Sequence, residues 1–380
     1  MPTLEQSRRQ IDGIDQKIRA LFLERMAVAQ QVAEDKRQNG GPVYRPEREG
    51  EIIARLCQGL EDEQARLCAA LMRQVMRLSR ETQYDYLLRH QPERFPFTFD
   101  QRPQPPRVVC YQGLPGAYSH SAAMALFPEA RLFHVQSFDD VFETVAQGRA
   151  DAGVVPMENS TAGTVNEVYD ALVRYQLTIN RAYNQPVRHC LAAPAGVSLR
   201  QVRTVLSHPQ ALSQCRRYCQ AHGFTVKPCS NTSVAAHQLQ SDSDGHTAAI
   251  CSALAARQHR LTVLEEEIQD LPDNQTRFIA VSPSLQFHPE DDRMSIAFHL
   301  PHESGTLSAV LALFASYEYN LTQLHARPLQ GGHWEYIFYL DFIGSPAEPG
   351  VRALLYQLEQ ELPYLRITGS YHVREESTCP

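Results

Sequence analysis

Five residues in the C-terminal half place a hydroxyl between an amide and a guanidinium, Asn274-Gln275-Thr276-Arg277-Phe278. They follow the turn signal Leu271-Pro272-Asp273 and lead into an apolar run, 278–281, that predicts a buried strand. A hydroxyl held at such a junction can donate a proton, and a guanidinium can bind a carboxylate through two hydrogen bonds. Because a polar turn before a strand commonly satisfies only its own backbone, a functional interpretation needs support from other parts of the chain.

A second set of polar residues interrupts the apolar face of a long predicted helix, 4–36. Apolar residues recur between Ile11 and Val32 at alternating spacings of three and four, which is typical of a coiled-coil seam. Arg25 lies inside this seam, and Lys36, eleven residues on, falls on the same face after about three turns. Arg25 alone would be an arginine that extends to solvent, but the two cations together could bind a small anion between them.

Two further predicted helices, about 46–57 and 63–89, also carry polar groups within apolar stripes. Glu49 lies in the stripe of the first with Arg48 beside it, and Ser79 and Gln83 share one side of the second. A single polar residue within an apolar stripe commonly has no function. A set that combines cations, a carboxylate, a hydroxyl and an amide favours a site for a small dicarboxylate.

This pattern of Arg8, Leu23-Glu24-Arg25, Lys36, 44–49, Ser79 and Gln83 resembles the all-helical chorismate mutases. The resemblance implies an intertwined homodimer whose long first helices cross, with Arg8 reaching the site of the other protomer. It also implies a Claisen rearrangement of chorismate to prephenate. That reaction needs a held substrate conformer and charge placed at the breaking ether oxygen.

The same resemblance implies a role for each residue. The cations Arg8, Arg25 and Arg48 would bind substrate oxygens, and Ser79 belongs to the same binding set. The catalytic set would be Lys36 and Gln83, which donate to the ether oxygen, and Glu49, which accepts the ring hydroxyl. Some relatives have an aspartate at Arg45: the change is tolerated if this position acts through its backbone, and weakens substrate binding otherwise.

From Arg107 onward apolar runs alternate with predicted helices, which indicates an α/β fold. Three polar loops follow predicted strands in this region, 112–119, 154–163 and 207–215. Each loop alone could be no more than a helix N-cap. Together with 274–278 they make four polar loops at strand ends, where open α/β sheets bind ligands.

These four loops resemble the prephenate dehydratases, whose closing signature is Asn-x-Thr-Arg-Phe, and the match runs over about 107–283. The resemblance implies two α/β lobes around a cleft, as in periplasmic binding proteins. It implies the loss of the ring hydroxyl and carboxylate of prephenate as water and CO2, without a metal or organic cofactor. Thr276 would act at the leaving hydroxyl. The expected substrate-binding residues are Glu158, Asn159, Ser207, Gln214 and Arg277.

The last ninety residues predict the order βαββαβ, with strands 294–300, 321–327, 334–342 and 365–371 and helices 305–317 and 351–362, a ferredoxin-like arrangement. Their motifs resemble the ACT domain, which implies binding of the effector phenylalanine across a domain pair. The expected allosteric residues are Gly305, Thr306, Leu307, His325, Ala326 and Arg327. Because family members usually have Glu-Ser at His325-Ala326, we expect weaker feedback inhibition or an altered ligand preference.

Composition restricts the alternatives. A net charge of -7 on 380 residues gives no general attraction to polyanions, which argues against a nucleic-acid binder. No apolar run approaches the roughly 20 residues that span a bilayer, and the N-terminus is unlike an export signal. Nine cysteines without a CxxC pair favour free thiols in the cytoplasm. Cys215, Cys219, His222 and Cys229 match no usual zinc spacing, so a buried thiol face is favoured over a metal site.

The chain therefore predicts a helical mutase domain at 1–91, a proline-rich linker at 92–106, a dehydratase domain at 107–283 and a regulatory ACT domain at 292–375. The leading hypothesis is a bifunctional enzyme of phenylalanine biosynthesis. The alternatives are a non-catalytic amino-acid sensor and a mutase whose dehydratase is inactive. A sensor has no need of Arg25 and Lys36 in a helix seam, which favours the enzyme.

Overall fold

The computed structural model describes residues 3–101, 103–240, 244–328 and 336–375. Its N-terminal part consists of three helices: α1 (Leu4–Asn39), α2 (Pro46–Cys57) and α3 (Asp62–His90). A capping box formed by Thr3 and Gln6 begins α1, because it satisfies backbone donors that the first turn leaves unpaired. Gly40, with φ of 79°, ends the helix, since that backbone region favours glycine. The predicted helices agree with these bounds to within three residues.

The first helix buries little of its apolar stripe. It packs against α3, and its buried residues are Ala29 and Ala33. The predicted seam residues are at least 40 % exposed: Ile11, Ile14, Ile18, Leu21, Val28 and Val32. An apolar stripe of this length on a surface helix marks an interaction face. Within the described ranges, no helix is both long and apolar enough to cross a membrane.

The middle of the chain alternates strands and helices, as predicted. Its strands are β1 (Val108–Gln112), β2 (Arg131–Val135), β3 (Ala152–Asn159), β4 (Gly163–Thr164), β5 (Thr178–Pro186), β6 (Cys190–Ala193), β7 (Thr204–Ser207), β8 (Thr225–Pro228), β9 (Thr247–Cys251), β10 (Thr262–Glu265) and β11 (Gln275–Ser282). Its helices are α4 (Tyr118–Leu126), α5 (Phe138–Ala146), α6 (Asn166–Arg174), α7 (Pro209–Gln214), α8 (Arg216–His222), α9 (Thr232–Gln238) and α10 (Ala253–Gln258).

These elements form two α/β lobes. The first lobe has the strand order β5-β11-β3-β1-β2, and the second has the order β10-β6-β9-β7-β8. The chain leaves the first lobe after β5, builds the second lobe, and returns as β11, antiparallel to both β3 and β5. The return strand therefore brings Thr276 to the middle of the first lobe, at the boundary with the second.

The C-terminal part is ferredoxin-like, as predicted. Its elements are β12 (Arg293–His299), α11 (Thr306–Ser316), β13 (Leu321–Pro328), β14 (Tyr336–Ile343), α12 (Pro349–Glu361), β15 (Tyr364–Tyr371) and a further strand, β16 (Val373–Glu375). The sheet order is β13-β14-β12-β15. The predicted start of the third strand, Trp334, lies outside the described residues.

The domains predicted from the sequence are joined more closely than a linker suggests. The sheet of the ferredoxin-like domain continues into the first lobe, because β15 and β16 pair with β5. On the helical side, Tyr84 of α3 meets Tyr356 of α12 edge to face, with ring centroids 5.5 Å apart. Phe95 and Phe99, from the predicted linker, are buried in the same apolar core. These aromatic side chains fix the segment against the C-terminal domain.

Two candidate active sites

A cavity of about 380 Å³ opens among α1, α2 and α3, and we call it the helical cavity. Seven of the predicted mutase residues line it: Arg25, Lys36, Arg45, Arg48, Glu49, Ser79 and Gln83. Hydrogen bonds to α3 hold both cations of α1. Lys36 Nζ donates to Gln83 Oε1 at 2.9 Å, and the Arg25 guanidinium donates to Ser79 Oγ.

Burial and crowding shape the electrostatics of the helical cavity. Desolvation lowers the pKa of Arg25. The pKa of Lys36 is also lowered, first by burial and then by the nearby Arg45 cation. Such shifts mean that the cations gain from a negative ligand that replaces the lost water. The cavity therefore suits a small dianion.

Arg8 lies outside the helical cavity of its own chain. It is exposed in the second turn of α1, 17 residues before Arg25. At about 1.5 Å per residue, the two side chains start roughly 25 Å apart along the helix. Arg8 therefore cannot reach the helical cavity of the same protomer.

Sequence reasoning missed Arg80, which lines the helical cavity. Its Nη1 donates to both carboxylate oxygens of Glu49, at 2.7 and 2.6 Å. Its Nε and Nη2 donate to Glu361, the last residue of α12, at 2.7 and 3.2 Å. No sequence signal points to this arrangement, since 281 residues separate Arg80 from Glu361.

A second cavity of about 460 Å³ lies between the two lobes, and we call it the interlobe cleft. Three predicted dehydratase residues line it: Asn159, Gln214 and Thr276. Further polar side chains of the lining were not singled out by sequence reasoning: Tyr118, Ser119, His189, His208, Gln210 and Asn231. Four of these lie in loops that the sequence marked as polar, 112–119 and 207–215, whereas His189 and Asn231 have no local signal.

The hydroxyl of Thr276 is oriented by Asn159. The two residues face each other across β11 and β3, and Asn159 Nδ2 donates to Thr276 Oγ1 at 2.9 Å. Asn159 is itself held, because its Oδ1 accepts from the Thr161 hydroxyl at 2.7 Å. A hydroxyl that accepts from an amide keeps its own proton for another acceptor. Thr276 can therefore donate into the interlobe cleft.

The hydrogen-bond chain extends from Asn159 to a buried histidine. Gln214 Nε2 donates to Thr161 Oγ1 at 2.9 Å, and Gln214 Oε1 lies 3.0 Å from His189 Nε2. Because a side-chain carbonyl oxygen only accepts, the His189 proton lies on Nε2. The other ring nitrogen, Nδ1, faces the Tyr118 hydroxyl at 3.1 Å. Burial lowers the pKa of His189, which favours the neutral imidazole.

Three predicted binding residues do not line the interlobe cleft: Glu158, Ser207 and Arg277. Successive side chains of a strand point to opposite faces, so Arg277 points away from Thr276. It pairs with Glu158 at 3.2 Å and with the buried Asp341 at 3.4 Å. Ser207 donates to the carbonyl of Ile250 at 2.6 Å. The expectation that Arg277 binds a substrate carboxylate is therefore not supported by its position.

The predicted effector residues separate into two groups. Gly305, Thr306 and Leu307 line a pocket of about 260 Å³ together with Tyr336 and Phe338. His325 and Arg327, on β13, contact the first lobe instead. His325 Nε2 lies 3.2 Å from Thr164 Oγ1, and Arg327 pairs with Asp170 at 2.7 Å. Ala326, between them, pairs in register with Phe338 of β14.

Among the described residues, no group of three or more His, Cys, Asp and Glu side chains is arranged to bind a metal. Cys215 and Cys219, the residues for which zinc was the alternative, pack in the apolar core of the second lobe. Burial raises the pKa of the Cys219 thiol. A protonated, buried thiol behaves as a small apolar side chain.

Comparison with known proteins shows that each cavity lies in a region that matches a known enzyme family. A family model described as chorismate mutase type II matches residues 7–84, and one described as prephenate dehydratase matches 109–285. The bifunctional chorismate mutase/prephenate dehydratase of Pseudomonas aeruginosa is 32 % identical over 378 residues, which cover 97 % of each chain. The chain belongs to the bifunctional chorismate mutase/prephenate dehydratase family. The helical cavity lies within the first match and the interlobe cleft within the second.

Two further relatives each match 70 % of this chain. The arogenate dehydratase/prephenate dehydratase 2 of Arabidopsis thaliana is 38 % identical over 276 residues, which are 70 % of this chain and 72 % of the relative. The prephenate dehydratase of Arthrobacter aurescens, solved in complex with L-Phe, is 33 % identical with a TM-score of 0.65. That comparison covers 70 % of this chain and 90 % of the other.

Proposed function

We propose that the helical cavity binds chorismate and rearranges it to prephenate, with Arg25, Arg48, Ser79 and the backbone or side chain of Arg45 holding the substrate. The observation that carries this assignment is the pairing of Lys36 with Gln83 beside Glu49 in one cavity. The ammonium and the amide can both donate to the ether oxygen as it gains charge. Glu49 supplies an acceptor for the ring hydroxyl.

We propose further that the mutase works as a homodimer in which Arg8 of a second copy completes each helical cavity. The exposed stripe of α1 supports this, because a second α1 crossing it would cover the apolar side chains from Ile11 to Val32. The distance along α1 supports it too, since Arg8 lies far from its own cavity. We expect the protein to form this homodimer in the cytoplasm.

The interlobe cleft is proposed to bind prephenate and convert it to phenylpyruvate. Aromatisation of the ring drives the loss of water and CO2, so the catalyst mainly has to supply a proton to the departing hydroxyl. The hydrogen bond from Asn159 to the Thr276 hydroxyl supports this role for Thr276, because it leaves the threonine proton free to donate. Gln214 would orient the substrate. Glu158, Ser207 and Arg277 would stabilise the strands that carry the lining of the cleft.

The ferredoxin-like domain, proposed as the regulatory unit at 292–375, would bind phenylalanine at the pocket that Gly305, Thr306 and Leu307 line. The contact of His325 with Thr164 supports a link to the dehydratase. We expect dehydratase inhibition that is weaker than in relatives with Glu-Ser-Arg-Pro, measured by titrating the rate with phenylalanine. Inhibition as tight as in those relatives would contradict this expectation. The other proposed units are the helical mutase domain at 1–91, the linker at 92–106 and the dehydratase domain at 107–283.

One assay tests the catalytic proposals together: purified protein is given chorismate, and phenylpyruvate is measured. Phenylpyruvate formation supports both cavities as active sites. Accumulation of prephenate would leave only the mutase, and an absence of turnover would favour the alternative of an amino-acid sensor.

A further inference from the structure

Arg80 connects the helical cavity to the ferredoxin-like domain. Its guanidinium lies between two carboxylates, Glu49 of α2 and Glu361 of α12, with all three of its nitrogens donating. The side chains of Arg80 and Glu361 are both only 11 % exposed. The ring of Tyr44 lies against the guanidinium, 4.6 Å from its carbon to the ring centroid. This degree of enclosure fixes the direction in which Arg80 points.

Glu361 binds one side of the Arg80 guanidinium. It is the last residue of α12, where a carboxylate meets the negative end of the helix dipole. Burial raises the pKa of Glu361, and its hydrogen bonds with Arg80 and Gln357 oppose that shift. Removing the cation would leave a buried carboxylate without compensation, which is strongly unfavourable. Glu361 and Arg80 therefore keep each other in place.

Glu49 is bound by the other side of the Arg80 guanidinium. None of the residues of α2 is fully buried, so polar contacts add to the packing of this helix against α3. The two bonds from Arg80 Nη1 to the Glu49 carboxylate are the short polar contacts that tie Glu49 to α3. A carboxylate oxygen offers more than one acceptor direction, so Glu49 can keep Arg80 and still accept a substrate hydroxyl.

We propose that Arg80 is a positioning residue for the mutase reaction, which holds Glu49 toward the substrate and is itself held by Glu361 of the ferredoxin-like domain. The inference rests on the proposed role of Glu49 as acceptor of the ring hydroxyl. It means that a side chain outside the three mutase helices sets the geometry of the mutase site.

Glu49 is surrounded by charged and titratable groups from every element packed around it. They are Arg25 and Lys36 of α1, Tyr44 and Arg45 before α2, Arg48 of α2, Arg80 and Tyr84 of α3, and Glu361 of α12. The direct ion pair of Glu49 is with Arg80. Loss of that cation would remove the ion pair that holds the Glu49 carboxylate.

The test compares the mutase and dehydratase rates of full-length variants. We expect Arg80→Met to lower mutase kcat/KM by about tenfold or more, the effect of losing a charge-assisted bond at a reacting site. Arg80→Lys should recover part of the rate, because it restores a cation beside Glu49. The dehydratase rate with prephenate supplied should stay at the wild-type value.

Two further variants separate positioning from folding. In Arg80→Met/Glu361→Met both members of the buried pair become apolar, which preserves packing without an orphaned charge, and the mutase loss should match that of Arg80→Met alone. Arg77→Met is the matched control, because Arg77 joins α3 to Ser316 of α11 at 2.9 Å and does not line the helical cavity. It should leave the mutase rate unchanged.

A failure of Arg80→Lys to recover any of the rate lost in Arg80→Met, or an equal mutase loss in Arg77→Met, would overturn the positioning role. Glu49→Gln distinguishes the two levels of the argument. If Glu49→Gln keeps full mutase activity, the proposed function of Glu49 is wrong. If Glu49→Gln is inactive while Arg80→Met is fully active, only the role of Arg80 is wrong.

Discussion

Thr276 and Arg277 are adjacent in sequence but have different surroundings. The hydroxyl of Thr276 faces the interlobe cleft, where Asn159 donates to it. Arg277 faces the ferredoxin-like domain, between Glu158 and Asp341. Burial lowers the pKa of the Arg277 guanidinium, while the surrounding acidic groups raise it, with a net rise. Arg277 therefore stays charged and links the two domains.

At Thr276, removing the hydroxyl should stop dehydration. Thr276→Val keeps the shape of the side chain but has no proton to donate, and general-acid assistance contributes about 10²- to 10⁴-fold. We expect a loss of that size in the rate of phenylpyruvate formation from prephenate, with mutase kcat/KM unchanged. Thr276→Ser retains the hydroxyl and should keep most of the activity. Equal losses of both reactions in Thr276→Val would show that the substitution damages the fold instead.

Lys36 should set the alkaline limit of the mutase. It donates only while protonated, and burial together with Arg45 lowers its pKa. The charged form is therefore lost as pH rises through a value below that of an ordinary lysine. We expect mutase kcat/KM to fall on the alkaline side accordingly. The Lys36→Arg side chain stays charged, so its residual activity should persist to higher pH. If the alkaline fall in kcat/KM occurs at the same pH in Lys36→Arg as in the wild type, a group other than Lys36 causes it.

At the scale of elements, α1 is long enough for the two functions that we propose for it. Its C-terminal half supplies Arg25 and Lys36 to the helical cavity of its own chain. Its exposed stripe and its first turns extend beyond that cavity. A helix of 36 residues spans about 54 Å at 1.5 Å per residue, which is long enough to reach the cavity of a second copy.

Mixed dimers test this arrangement directly. Arg8→Ala and Lys36→Ala should each abolish most mutase activity alone. If Arg8 acts in the partner's cavity, co-refolding equal amounts restores one intact site in each mixed dimer, roughly a quarter of the wild-type rate for random pairing. Mutase assays after mixing measure this, with the dehydratase rate as a loading control. Absence of recovery, with mixed dimers verified by differential tagging, would place Arg8 outside the partner's site.

At the scale of the whole molecule, one residue controls the junction between the two sheets. Gly369 of β15 pairs with Ile179 of β5, and a Cβ at this position would lie 2.7 Å from both Ile179 Cβ and the Ile179 carbonyl oxygen. Contacts that short force the strands apart. The junction between the first lobe and the ferredoxin-like domain therefore requires glycine.

Gly369→Ala should destabilise the protein by about 1–3 kcal/mol, the usual effect of overpacking, measured by denaturant unfolding. The matched control is Gly13→Ala on α1, where nothing lies within 4 Å of an added Cβ. That change should be neutral or stabilising, because alanine favours a helix over glycine by about 1 kcal/mol. Equal stability of the two variants would mean that the sheets are not joined at this position.

The sequence by itself determined the elements and most of the candidate residues. The spacing of apolar residues predicted all three N-terminal helices and the βαββαβ order, because these periodicities follow from backbone geometry alone. The polar loops at 154–163, 207–215 and 274–278 contain Asn159, Gln214 and Thr276, which the structure brings to one cleft. Each of these residues lies in a short polar stretch of the sequence, so a local pattern was sufficient to single it out.

Only the tertiary structure decided which way these residues face and what lies opposite them. Arg277 shares the motif of Thr276 but points to the other side of β11, and Ser207 turns to a neighbouring strand. Arg80 pairs with Glu361 of the ferredoxin-like domain, and the sheets join where Gly369 meets Ile179. Each of these contacts joins residues far apart in sequence, so its geometry depends on the register and packing of whole elements.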